Sequence, residues 1–216
     1  MSQQLTLVAN EMPLRWGEVQ NDQTDNLIDL FSINDIDELK NRTSHFPESV
    51  QNYFRRRWFL WRCSQCDEWI FYAQPGVVKN PNTKDQDWDV EFHNNKTWRF
   101  DIKGTTIPRS LRTHIDQPKI LTPKLVDFYY QNQSTGIRNH SQNRLFLVHY
   151  SEDPRKLNHL RTRFIEKAHV AKSFVDLIST RSNHQFLKHS DNIAEIIYIR
   201  DVKGKVYYTI GSTLFS

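Results

Sequence analysis

A chain of 216 residues with 38% hydrophobic and 25% charged side chains holds enough apolar material for a substantial core, which excludes a wholly disordered segment. Two cysteines, Cys63 and Cys66, exclude a disulfide framework, and no apolar run approaches the roughly 18 residues needed to span a bilayer. The net charge of +4 hides an asymmetry: residues 1–50 carry three basic side chains (Arg15, Lys40, Arg42) against nine acidic ones, and the remainder 26 against 16. An acidic leader on a basic body suits a polyanion-binding domain.

The start, MSQQLTLVANEMPLRW, lacks the basic and then apolar pattern of a secretory signal, so the expectation is a protein of the reducing cytoplasm with no membrane contact. Residues 1–25 are weakly patterned and suggest a short strand or an arm packed on the body. In TDNLIDLFSINDIDELKNR the apolar positions break near Ser32–Asn34, which predicts two short helices, the second capped by Asn34. Ser44 or Pro47 opens a stronger helix, with Val50, Tyr53, Phe54, Trp58 and Trp61 at spacings of three and four. The segment 68–73, EWIFYA, is read as a strand ended by Gln74-Pro75-Gly76.

After a Lys79–Thr83 loop, 87–92 (DWDVEF) and 97–104 (TWRFDIKG) alternate in polarity and are joined by His93-Asn94-Asn95-Lys96, which predicts a β-hairpin. Residues 105–121 are basic and irregular, and Thr122-Pro123 opens a further helix. The continuous apolar run 144–150 predicts a strand buried on both faces. A long basic helix follows from Asp153-Pro154 to about Ser179, and strands 195–201 and 205–211 close the chain across the turn Val202-Lys203-Gly204. The expected architecture is α/β (α+β), a central mixed sheet flanked by helices in a single domain over 1–216.

The chemistry concentrates in Asp87-Trp88-Asp89-Val90-Glu91-Phe92 and Asp101-Ile102-Lys103. On a strand, residues i and i+2 share a face, so Asp101 and Lys103 project together, opposite Ile102. If the two strands pair, Asp89 joins them. Two adjacent carboxylates repel unless a cation relieves them, and a hard divalent ion with oxygen ligands does so. Such an ion activates a bound water, while a lysine beside it supplies a point charge for an attacking water or a developing phosphate charge.

Asp89, eleven residues, then Asp101-Ile102-Lys103 resembles the signature of the PD-(D/E)XK, or restriction-endonuclease-like, nuclease superfamily. The resemblance covers about 47–150 and leaves the acidic segment 1–46 and the basic helix and strands of 151–216 unexplained. It implies a core of helix, three strands, helix and strand. It further implies that Asp89 and Asp101 ligate Mg²⁺ (Mn²⁺ as a substitute) and that Lys103 acts on the water. An acidic residue of the first helix often assists in the family; Glu48 is the candidate there, and Glu91 is a different one on the strand. Trp88 stands where the family has proline, and Asp85 and Asp87 compete with Asp89 for the metal role.

The expected function is therefore a Mg²⁺-dependent endonuclease hydrolysing DNA phosphodiester bonds, of a restriction, defence or mobile-element kind, with RNA as an open substrate. A homodimer is compatible, since cutting both strands of a duplex takes two active sites. The alternative is a non-cleaving module of the same fold that binds nucleic acid or protein. Arg109 and Arg112, directly after the site strand, together with Arg55, Arg161 and Arg163, are candidate phosphate contacts, against the plainer reading of a solvated helix face. Cys63-x-x-Cys66 lacks a second cysteine pair, leaving a site with His45 or His93 against a pair of buried thiols. The histidines 114, 140, 149, 159, 169, 184 and 189 show no metal-ligand spacing. No glycine-rich phosphate loop and no serine elbow is present.

Overall fold

The computed structural model describes residues 2–20, 22–82, 85, 87–132, 142–180 and 184–215. Thr83 of the expected loop and His140 lie outside them. In chain order the helices are α1 (Ser2–Val8), α2 (Asp22–Asp25), α3 (Ile36–Thr43), α4 (Glu48–Tyr72), α5 (Pro118–Asn132), α6 (Leu157–Arg161) and α7 (Phe164–Thr180). The strands are β1 (Val77–Lys79), β2 (Val90–Phe92), β3 (Arg99–Thr106), β4 (Arg144–Ser151), β5 (Leu187–His189), β6 (Asn192–Val202) and β7 (Lys205–Ile210). Among the described residues no helix is long and apolar enough to cross a membrane.

The chain divides into two compact units: residues 1–66 with 153–163, and residues 67–152 with 164–216. The first unit is helical. Its core is aromatic, with Tyr53, Phe54, Trp58 and Phe59 of α4 buried beside Ile33, Ile36 and Leu39. Trp58 Nε1 donates to the Ile33 carbonyl at 3.0 Å, so the indole is buried with its polar atom satisfied. The cap of α3 is Asp35 rather than Asn34: Asp35 Oδ1 accepts from Glu38 N at 2.8 Å, while Glu38 Oε2 accepts from Asn34 N at 3.2 Å. Cys63 and Cys66 are buried in α4 and form no disulfide.

The second unit is a mixed sheet flanked by helices, ordered β1-β2-β3-β4-β6-β5, with β7 also paired to β6. β1, β2 and β3 form an antiparallel meander, whereas β3–β4 and β4–β6 are parallel. β4 lies between two parallel neighbours and is buried along almost its whole length, as its unbroken apolar run predicts. On one face α5 packs Leu121, Leu125, Val126, Tyr129 and Tyr130 against Phe146, Val148, Ala194, Ile196 and Tyr198. On the other, Phe92 and Phe100 meet Phe71, Phe174 and Phe186 edge-on or tilted.

Four readings of the sequence are corrected. Residues 68–72 are the last turns of α4, not a strand, because Cys63, Cys66, Ile70 and Phe71 continue the spacing of three and four begun by Phe59. The strand that starts the meander is the short β1, after the turn at Gly76, whose φ of +78° suits glycine. Residues 2–8 form a helix rather than a strand or arm. The helix expected from 153 to 179 is a 3-10 turn, α6 and α7, interrupted at Thr162-Arg163, and α5 begins at Pro118 with Pro123 inside its first turns.

Candidate active site

Pairing of β2 with β3 sets Val90 opposite Phe100 and Glu91 opposite Arg99, so one step further Asp89 faces Asp101. Asp89 lies just outside β2, yet its N–H still donates to the Phe100 carbonyl at 2.9 Å. Its Oδ2 accepts the N–H of Ile102 at 2.7 Å. The side chain thus continues the ladder where the main chain of β2 does not.

Alternation along β3 sends Phe100 and Ile102 into the aromatic face and Asp101 and Lys103 to the other. Lys103 Nζ lies 2.6 Å from Asp101 Oδ1. Asp101 is buried at 4% side-chain exposure, whereas Lys103 keeps 31%; the carboxylate is enclosed and the ammonium reaches solvent. Beside Asp101 on β4 stands its register partner Arg144, with Nε 3.9 Å from Asp101 Oδ2 and a guanidinium stacked 5.0 Å over the Tyr130 ring.

The fourth member is Glu68, in the last turns of α4. Burial pushes its carboxyl up to about 7, helped by the charge of Asp89, while Lys103 and Lys79 partly offset the rise. Asp89 is pushed up to about 6, first by burial and then by the Asp101 charge, against the pull of Lys103 and the Ile102 N–H. Glu68, Asp89 and Asp101 therefore feel one another's charge, offset by Lys103 and, at Glu68, also by Lys79. Perturbed groups gathered in this way mark functional sites more often than ordinary surfaces.

Glu48, the acidic candidate from the sequence, stands in the first turn of α4 and belongs to the other unit; the helix acid that feels Asp89 and Asp101 is Glu68. Reading residues 68–73 as a strand hid it; the helical spacing that runs through Cys63, Cys66 and Ile70 was the signal that could have found it. Glu91 is engaged elsewhere, with Oε2 accepting from Arg99 Nε at 2.6 Å. Asp85 accepts from Asn80 Nδ2 and from the N–H of Asp87, and Asp87 accepts from Gln142 Nε2 at 2.7 Å, so both serve the loop ahead of β2.

Arg109 and Arg112 are exposed on the 3-10 segment Arg109–His114 that follows β3, and Arg112 Nε donates to Ile107 O at 3.3 Å. Arg55, Arg161 and Arg163 belong to the first unit. Arg55 Nη2 bonds Gln51 Oε1 at 3.2 Å, Arg163 is exposed, and Arg161 is 8% exposed rather than on a solvated face.

No family model, curated protein or solved structure matches the chain. The case for a metal rests on the donor set. Asp101 Oδ2 is buried and accepts no hydrogen bond among the described residues, and Asp89 spends one oxygen on Ile102. Among the described residues no three His, Cys, Asp or Glu side chains stand in a ready-made metal cage. Two carboxylates completed by waters and substrate oxygens is the donor set of Mg²⁺ rather than of zinc, so the residues fit a hard divalent cation.

Proposed function

We propose that the chain is a Mg²⁺-dependent endonuclease of the restriction-endonuclease-like kind, hydrolysing DNA phosphodiester bonds. One observation carries the reading: Asp101 and Lys103, 2.6 Å apart on β3, face Asp89 across the β2–β3 hairpin. The order α4, antiparallel β1 to β3, α5 and parallel β4 supports it, being compatible with the core that the sequence resemblance implies.

Asp89 and Asp101 would hold the ion. When bound, it would lower the pKa of a coordinated water and offset charge at phosphorus. Lys103, partly in solvent, reaches outward to orient the attacking water and to stabilise negative charge on the phosphate oxygens. Glu68, whose carboxyl burial pushes up to about 7, would be the group to accept a proton from that water. Arg109 and Arg112 follow the site strand and would neutralise backbone phosphates without reading bases.

The deciding experiment is cleavage of plasmid and single-stranded DNA, and of RNA, by the purified protein with Mg²⁺, Mn²⁺ or EDTA. The Lys103→Ala variant is run beside it. Metal-dependent cutting that the variant loses supports the assignment. Retained nucleic-acid binding with no cutting under any metal would replace it with the non-cleaving binding module.

A further inference from the structure

Arg144 opens β4, and its register partners are Asp101 on β3 and Ala194 on β6. Pairing sets these side chains in one row on the face that α5 covers. Ala194 brings only a methyl group to that row, which leaves room for a long neighbour. The Arg144 guanidinium lies 5.0 Å over the Tyr130 ring of α5. Tyr130 is itself fixed: its hydroxyl donates to the Gln142 carbonyl at 2.8 Å, and its ring stacks on His189 with centroids 4.5 Å apart. His189 Nδ1 in turn lies 2.9 Å from Asp127 Oδ1. Arg144 is thus pinned in the interior, with 2% of its side chain exposed.

Its charge answers Asp101. Arg144 Nε stands 3.9 Å from Asp101 Oδ2, within ion-pair range and beyond hydrogen-bond range. Oδ2 accepts no hydrogen bond among the described residues, whereas Oδ1 meets Lys103 Nζ at 2.6 Å. The two cations differ in freedom. Lys103 keeps 31% of its side chain in solvent and can swing outward when another cation arrives. Arg144 has no such exit, and a guanidinium does not lose its proton in a protein. A divalent ion that takes Oδ2 therefore meets a fixed positive charge beside it, in surroundings too dry to screen it.

We propose that Arg144 is a positioning residue that acts through Asp101 to set the metal affinity of the site. It is an internal counter-charge that keeps the free protein's hold on a divalent ion weak, so that tight binding waits for the substrate. A phosphate group brings the negative charge that offsets Arg144, so ion and nucleic acid bind with positive coupling, each raising the affinity for the other. The inference rests on the reading of Asp89 and Asp101 as metal ligands.

The test is Mn²⁺ binding to the full chain, followed by electron paramagnetic resonance without nucleic acid, beside Arg144→Gln, Arg144→Lys and His189→Ala. Arg144→Gln is expected to bind Mn²⁺ roughly ten-fold more tightly, as removal of a like charge from a poorly screened site does. It is also expected to lower Tm in EDTA and to regain more Tm with Mn²⁺ than the unchanged protein, because the ion replaces the partner that Asp101 has lost. A merely structural arginine predicts the opposite sign, weaker binding as Asp101 loses its setting; that result, or an unchanged affinity, overturns the proposal. Arg144→Lys keeps the charge and is expected to hold the affinity of the unchanged protein. Tightening there as large as in Arg144→Gln would trace the effect to shape and overturn it as well. His189→Ala touches neither carboxylate and lies at a partly exposed position, so it decides the matter if Arg144→Gln fails to fold. Freeing the Tyr130 ring lets the guanidinium withdraw, and Mn²⁺ binding is expected to tighten by a smaller factor; unchanged or weaker binding counts against the proposal. Mn²⁺ binding absent from every protein, the unchanged one included, defeats the metal reading and this inference with it. Binding that is present but indifferent to residue 144 defeats only the role of Arg144.

Discussion

The carboxylate of Asp89 accepts the main-chain N–H of Ile102 at 2.7 Å, which ties the end of β2 to the strand that carries Asp101 and Lys103. An asparagine keeps that acceptor and loses the charge. Asp89→Asn should therefore fold with unchanged or higher Tm at neutral pH while losing metal-dependent cleavage by about 10² or more, the scale of removing one charged catalytic group. Cleavage at the level of the unchanged protein would remove Asp89 from the site.

Glu91 is the control for that experiment. Its carboxylate is engaged by Arg99, two positions along β3 from Asp101, so Glu91→Gln should change cleavage less than about three-fold, within the range of a surface substitution. A loss as large as that of Asp89→Asn would mean that the ladder has been assigned to the wrong acid.

The raised carboxyls give stability a direction with pH. Glu68 and Asp89 bind protons more tightly folded than unfolded, where their values lie near 4.3 and 3.9. Their contribution is full below about 4 and is lost as pH rises to about 7. In EDTA, Glu68→Gln should gain Tm over the unchanged protein as pH is raised through this window, and gain nothing at its acid end. Melting curves across that range decide it; a gain independent of pH would show that burial of Glu68 is not the cause.

Lys167 Nζ and Asp67 Oδ1 are 2.5 Å apart with both side chains 2% exposed. Breaking such a pair strands a buried charge, so Lys167→Met should cost about 3–5 kcal/mol in denaturant unfolding. Adding Asp67→Leu should recover part of the loss. A cost below about 1 kcal/mol would place the pair in the class of solvent-screened surface bridges.

The hairpin was the most legible part of the chain, because Trp88, Val90, Phe92 and Trp98, Phe100, Ile102 alternate without interruption and the polar partners fall between them. From that alternation Asp101 and Lys103 could be placed on one face and Asp89 opposite, as the register bears out. Glu68 was not legible. EWIFYA is rich in strand-forming residues, and only its continuity with the helical spacing from Phe59 onward, with no breaker before Pro75, keeps it in α4. The same blind spot applies to Arg161: a basic residue in a basic stretch reads as solvated, and its burial arises from how the short α6 packs within the first unit. The break at Thr162-Arg163 carried no proline or glycine to announce it.

The parallel pairs β3–β4 and β4–β6 join strands far apart in the chain, whereas the neighbours in β1–β2–β3 and β5–β6–β7 follow one another directly in sequence. Loop-closure entropy opposes the distant pairs more than the near ones, so the two meanders are expected to assemble early and the central parallel strands to join last. Asp89, Asp101 and Lys103 lie wholly within one meander, while Arg144 reaches Asp101 only when β4 docks. The clustered acids thus meet before the arginine that borders them arrives. Divalent ions present during refolding would then speed the first stage, by relieving a repulsion that the finished sheet shares with Arg144.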